Sequence, residues 1–286
     1  MFVRDNTQSM AQIPSIFVTK ADGEKELFDP AKLELSLEKA GASSTMRAKI
    51  TANVLHWMHP TATTDDIYHL AFGILEKEES MPVAARYSIK RAVFALGPSG
   101  FPFEQFVAEV LKAHGWSART GVELLGRCAP HEVDVLAEKN GKRVGIEAKF
   151  HNDAAGKTDI KDALYVYARY DDLKNSADPE SRVDEGWLVT NTRFTHNAIR
   201  YSRCVNLTLL SWEYPRGHGL FEMIETGKVH PLTCLTTLSD GEKRRMLDQR
   251  IVLCKSIQTP HLLHEFGVRQ EKIERVMSEA KQLCSI

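Results

Sequence analysis

Long apolar runs, paired cysteines and a charge excess are all missing from this 286-residue chain, and each absence excludes a class of protein. No run of about 18 apolar residues occurs, so no membrane span is expected. The first fifteen residues lack the apolar core of a secretion signal. The five cysteines (Cys128, Cys204, Cys234, Cys254, Cys284) are odd in number and contain no Cys-x-x-Cys pair. That spacing argues against a disulfide framework or a structural zinc site and suits a cytoplasmic protein. With a net charge of −1 there is no global basic field, so nucleic-acid binding would need a local patch. A Gly-x-x-x-x-Gly-Lys-Ser/Thr loop is also absent, which excludes the phosphate cradle of a motor ATPase. There is no internal repeat or low-complexity tract. Hydrophobic content of 43% and charged content of 26% are ordinary globular values.

The most informative segment is the hairpin His131–Lys149. Asn140-Gly141 supplies the two positive-φ residues of a type I′ turn. The turn sets Lys139 opposite Lys142, and counting back sets Asp134 opposite Glu147 and Glu132 opposite Lys149. Alternation along a strand puts these four groups on one face, with Val133, Val135, Ala137, Val144, Ile146 and Ala148 forming a core face. Directly opposed carboxylates repel, so the Asp134–Glu147 pair calls for a counter-charge. A divalent cation between them, with Lys149 alongside, is one answer. The other is a solvated acidic edge with a Glu132–Lys149 pair.

Four segments flank and contain this hairpin. Residues 1–14 read as a leader, and residues 15–97 as a small α+β unit. That unit starts with a hairpin, Ile16–Lys20 and Glu26–Phe28 around Asp22-Gly23, followed by four helices. Asp29-Pro30 marks the first helix start, as N-cap and first helical residue. Gly97-Pro98-Ser99-Gly100 reads as a linker. Residues 101–215 alternate helix and strand, the pattern of an α/β sheet with helices on its faces. The expected order is a helix ending near Gly115, the hairpin, a helix over 157–173, and buried strands at Trp187–Thr190 and Leu207–Trp212. Residues 231–286 read as a helical tail, with a capping box at Ser239–Glu242. Leu262–Val268 and the helix after it are similar to half of a helix-hairpin-helix unit; packing on the core and a dimer contact are the other readings.

Asp134 followed by Glu147-Ala148-Lys149 resembles the motif of the PD-(D/E)XK nuclease superfamily, nearest to the catalytic domain of Mrr-type restriction endonucleases. Glu104 stands where that family often has a further acidic residue. Lys161-x-x-x-Tyr165 has the spacing of the Gln-x-x-x-Tyr element of RecB-like members, with lysine in place of glutamine. The resemblance implies a restriction-endonuclease-like fold with Asp134, Glu147, Lys149 and Glu104 as catalytic residues. Mg²⁺ or Mn²⁺ would be held by Asp134, Glu147 and the Ala148 carbonyl. Such hard cations prefer carboxylate and water oxygens and generate hydroxide near neutral pH.

Val18-Thr-Lys-Ala-Asp-Gly23, Glu26-Leu-Phe-Asp-Pro-Ala-Lys-Leu33 and Thr64-Asp-Asp-Ile67 resemble the ATP-cone of ribonucleotide reductases and of the repressor of their genes. That resemblance implies Lys20, Glu26, Lys32 and Thr64 as nucleotide contacts and ATP or dATP as a regulatory ligand. Ala21 replaces the family's usual arginine, and Val93 and Phe94 stand where it has a basic pair. Arg86, Lys90 or Arg91 are the candidates to replace that pair.

The whole reads as a multidomain α/β protein: an ATP-cone at 15–97, a nuclease domain at 101–215 and a helical tail at 231–286. The expected activity is metal-dependent DNA cleavage under nucleotide control. DNA and nucleotide are the expected partners, and the chain is expected to form a homo-oligomer. The alternatives are a nucleotide-responsive DNA-binding regulator without cleavage activity and an oligomerisation or docking protein.

Overall fold

The computed structural model describes residues 16–20 and 23–284; the leader expected at 1–14 and the tip of the first turn lie outside them. β1 (Phe17–Thr19) and β2 (Lys25–Leu27) form an antiparallel pair. Four helices follow: α1 (Pro30–Lys39), α2 (Ser44–Trp57), α3 (Thr64–Glu78) and α4 (Met81–Phe94). Asp29 caps α1 by accepting from Ala31 N at 3.0 Å, as its sequence position predicts. Thr63 and Asp66 close a capping box on α3. Leu33, Leu37, Ile50, Val54, Ala71 and Leu75 build a small core among α1, α2 and α3.

α4 has two allegiances. Val83 and Ala84 face that core, whereas Ala85, Ile89, Ala92, Val93 and Leu96 belong to the large core of the rest of the chain. Nor is the 97–100 segment slack. A Cβ on Gly97 would lie 2.5 Å from Asn152 Oδ1 and 2.6 Å from the Phe150 ring, and Asn152 Nδ2 donates to Pro98 O at 3.1 Å. Only glycine fits such an approach.

α5 (Phe101–Ala113) leads into β3 (Ser117–Leu125), β4 (Pro130–Lys139) and β5 (Lys142–Lys149). The chain continues through β6 (Lys157–Thr158), α6 (Ile160–Lys174), β7 (Glu185–Thr190), β8 (Arg193–Phe194), α7 (His196–Val205) and β9 (Thr208–Leu210). The main sheet has the order β3-β4-β5-β7-β9, antiparallel over its first three strands and parallel over its last three; β6 and β8 pair separately. α5 and the C-terminal helices cover one face, α6 and α7 the other. The helix expected from 157 starts instead at Ile160, because Asp159 caps it by accepting from Lys161 N at 2.8 Å. β3 is an edge strand that sequence reading passes over: its inward positions are few, and Gly121 breaks the alternation with φ +63°.

α8 (Leu220–Gly227), α9 (Asp240–Asp248), α10 (Pro260–Glu265) and α11 (Gln270–Cys284) complete the chain. Met246, Leu263, Ile273, Val276 and Leu283 are buried in the same core as α4 and α5. The C-terminal region therefore packs on the core. Glu279, 4% exposed, ties α11 down by accepting from both the N–H and the hydroxyl of Thr236 and of Thr237.

Glu242 makes a second tie. Burial alone would raise its carboxyl, but Lys272 Nζ at 2.6 Å and the Ser239 N–H and hydroxyl outweigh that and hold it at about 2. The folded carboxyl lies below its unfolded value, so its contribution is present above pH ~4 and lost as pH falls towards 2. Glu242→Gln is expected to cost about 2 kcal/mol at pH 7 and progressively less below pH ~4, read from denaturant melts across pH. An equal cost at every pH would place the effect elsewhere than in ionisation.

Candidate active site

The hairpin turn is as expected: Asn140 has φ 53° and Gly141 φ 77°, and Lys139 faces Lys142. The pairing continues through Val135↔Ile146 and stops there. Beyond it, Asp134 Oδ2 accepts the Ala148 N–H at 2.8 Å, so a side chain takes up a strand-edge donor that the ladder has left. Val135, Ala137, Val144, Ile146 and Ala148 face the large core, as the alternation predicts, while Val133 joins the second core under α6 and α7.

The opposite face is covered rather than being the solvated acidic edge of the second reading. α6 lies across it, and its Tyr170 ring rests on two glycines that are register neighbours, Gly145 of β5 and Gly186 of β7. A Cβ at Gly145 would be 2.2 Å from the ring, and one at Gly186 2.5 Å. Asp134 and Glu147 are half-buried beneath this helix.

The expected counter-charges are also rearranged. Glu147 Oε2 forms an ion pair with Arg169 Nη1. Arg169 is itself held by the Tyr165 hydroxyl at 2.6 Å, by Glu132 O at 3.2 Å and by the Tyr165 ring. Lys149, 45% exposed, turns to Asp162 Oδ1 at 3.2 Å rather than to Glu132. Arg169 is thus the residue whose role the hairpin pattern could not show; Tyr165, four residues before it, orients it.

Glu104, in the first turn of α5, is close enough to feel these charges. Burial first, and then the charges of Asp134, Glu132 and Glu147, push its carboxyl up to about 7. Burial likewise raises Asp134, against the Ala148 N–H and Arg169, and raises Glu147, with Asp134 adding to it and Arg169 opposing. Glu104 therefore lies in the field of the other three carboxylates. Because Glu104 is easier to protonate folded than unfolded, the metal-free chain loses stability as pH rises from ~4.5 to ~7. Glu104→Gln should remove that loss, giving a melting temperature above wild type at pH 8 and equal to it at pH 5. A variant that melts lower at pH 8 would show that Glu104 is not in this cluster's field.

Among the described residues, no three acidic, histidine or cysteine side chains converge into a ready-made metal cage. The donor set nevertheless fits a hard cation of the Mg²⁺ type, which is bound through one or two carboxylates and retains several waters. Tyr170 Oη and Arg169 Nε, beside the carboxylates, are buried without hydrogen-bond partners, a place that a hydrated ion's oxygens would suit. His131 and His151, which flank the motif strands, are both part-buried and engaged elsewhere: His131 with Asp172 at 2.9 Å, His151 with Thr158 at 2.9 Å.

The four N-terminal candidates separate. Lys20, Glu26 and Lys32 form an ion-paired cluster, with Glu26 at 2.8 Å from Lys20 and 3.4 Å from Lys32. Lys20 and Thr64 line a cleft between the N-terminal helices and the sheet, whereas Lys32 lines an adjoining cavity.

Comparison with known proteins follows this division. Residues 97–213 match the restriction endonuclease family model of the Mrr catalytic type, and residues 230–284 match the model described as AF1548-like, C-terminal. An uncharacterized protein of Archaeoglobus fulgidus is 32% identical over 183 residues, covering 62% of this chain and 99% of that protein. The crystal structure of AF1548, a protein of unknown function, aligns with a TM-score of 0.56 at 31% identity, covering 65% of this chain and 99% of its own. The chain thus belongs to the AF1548-like family, with a restriction-endonuclease-like domain over 97–213 and the family's C-terminal region over 230–284.

Proposed function

We propose that this protein is a cytoplasmic, divalent-metal-dependent DNA endonuclease of restriction type, with a nucleotide-sensing N-terminal unit. The observation that carries the reading is the pair of half-buried carboxylates, Asp134 and Glu147, where the antiparallel ladder opens, with Lys149 two residues after Glu147 and Glu104 in their field. Asp134 and Glu147, with the Ala148 carbonyl, would hold Mg²⁺ or Mn²⁺, which lowers the pKa of bound water and stabilises charge on the phosphate. Lys149 is the exposed cation of the group and is placed to offset phosphate charge or orient the attacking water. Arg169 holds Glu147 in position through the Tyr165 contact and neutralises it while the site is free of metal. Glu104, with its carboxyl near 7, is able to accept or release a proton at the working pH.

The N-terminal unit is read as a control element on its ATP-cone-like residues Lys20, Glu26, Lys32 and Thr64, with ATP or dATP as ligand. Supercoiled plasmid incubated with the purified chain and Mg²⁺ or Mn²⁺, with and without ATP or dATP, separates the readings. Nicking or linearisation that requires the metal, and changes rate with nucleotide without ATP turnover, is the expected result. DNA retention on a gel without cleavage would favour the DNA-binding regulator. Neither cleavage nor retention would leave the docking protein.

A further inference from the structure

The Tyr170 side chain spans two strands of the sheet. Its Cβ–Cγ end lies over Gly186 of β7 and its Cε1–Cζ end over Gly145 of β5. The hydroxyl therefore projects past β5 towards β4, over the face that carries Glu147 two residues further along β5. Burial first, then the Glu147 charge, and less strongly that of Asp134, keep its proton in place; Arg169 acts the other way. The phenol thus stands beside both carboxylates with a hydrogen to give.

Nothing in the protein takes that hydrogen. Tyr170 is 4% exposed, and its oxygen has no hydrogen-bond partner among the described residues. Arg169, its neighbour in the chain, lies next to it, but a guanidinium brings only hydrogens. Arg169 Nε is itself a second buried donor without an acceptor. Packing explains the ring, which two glycines accommodate, but not the hydroxyl: phenylalanine would fill the same slot without burying a polar group. Two orphaned donors side by side, above two carboxylates, call for an oxygen that accepts from the first pair and has hydrogens for the second. Water has that combination, and a buried water makes two to four such bonds.

We propose that Tyr170 is a positioning residue of the metal site, its hydroxyl holding a water of the cation's hydration shell over Glu147. The proposal rests on the metal-dependent reading given above and gives α6 a part in it. A hard cation of the Mg²⁺ type bound by two carboxylates keeps several waters. Groups that orient such outer partners share in the affinity for the ion. The ring and the hydroxyl then do separate things. Gly145 and Gly186 fix the ring, the ring fixes the hydroxyl, and the hydroxyl fixes the water.

Tyr170→Phe separates these roles, since it removes one oxygen and keeps the ring. Calorimetric titration of Mn²⁺ into the full chain should show affinity about tenfold weaker than wild type. The metal-free variant should melt at or above the wild-type temperature, because a buried hydroxyl without a partner has been removed rather than a bond broken. Mn²⁺ should perturb the near-ultraviolet tyrosine absorption of the wild type, and the perturbation should be smaller in the variant. The Mn²⁺ concentration for half-maximal plasmid cleavage should rise by the same factor as the dissociation constant. Wild-type Mn²⁺ affinity in Tyr170→Phe would overturn the proposal. A clear fall in the metal-free melting temperature would overturn it as well, by showing that the hydroxyl is bonded within the protein. Both results leave the carboxylate site standing. That reading fails separately, if wild type takes up no Mn²⁺ or if Asp134→Asn binds it as tightly as wild type, and the assignment of Tyr170 then falls with it.

Discussion

Asp134→Asn and Lys149→Ala should each reduce metal-dependent DNA cleavage by roughly a hundred- to ten-thousandfold while the chain stays folded, the range expected when a charge-stabilising or proton-moving group is lost. The choice of asparagine matters. Asp134 accepts the Ala148 N–H, and Asp134→Ala would leave that half-buried donor unpaired, at a cost of about 1–3 kcal/mol. Asparagine keeps an acceptor oxygen there and removes only the charge. Lys149 is 45% exposed and its pair with Asp162 lies near the surface, so its removal should change stability by less than about 0.5 kcal/mol. Melting curves and single-turnover cleavage of the same preparations check both halves. Near-wild-type cleavage by either variant would remove that residue from the chemistry.

A second large effect is expected at a residue that carries no chemistry. Gly145→Val should destabilise the chain by more than about 3 kcal/mol and abolish cleavage with it, because its side chain would meet the Tyr170 ring 2.2 Å from the Cβ. The ring cannot retreat along the sheet, since Gly186 on the neighbouring strand supports its other edge. α6 would have to lift, carrying Arg169 away from Glu147 and Asp162 away from Lys149. The double variant Gly145→Ala with Tyr170→Leu should be more stable than the two single changes sum to, since the second makes room for the first. Additivity would mean that the glycine and the ring do not constrain each other.

That contact also explains what could and could not be read from the residues alone. The turn at Asn140-Gly141, the register through Lys139↔Lys142 and the capped helices are local chemistry, and they are legible because a few neighbouring residues decide them. The helical packing role of the C-terminal region was visible in its apolar spacing. The cover over the acidic face was not, because the signal for it is the absence of a side chain at Gly145 and Gly186, 41 residues apart. For the same reason nothing beside Arg169 in the chain marks its role: its partner Glu147 is 22 residues away. α4 reads as the last helix of a small N-terminal unit, yet half of its apolar residues complete the core beyond it. Amphipathic spacing reports that a face is buried, not which neighbour buries it.

Arg169 sets the central question, since an ion pair already neutralises Glu147 without a metal. The most direct measurement is calorimetric titration of Mn²⁺ into the metal-free full chain, as wild type, Asp134→Asn and Glu147→Gln, with plasmid cleavage followed over the same Mn²⁺ concentrations. A metal shared by these carboxylates predicts binding to wild type, affinity at least tenfold weaker in both variants, and a cleavage rate that rises in step with occupancy. Equal Mn²⁺ affinity in all three proteins, or wild-type cleavage that persists in EDTA, would contradict it.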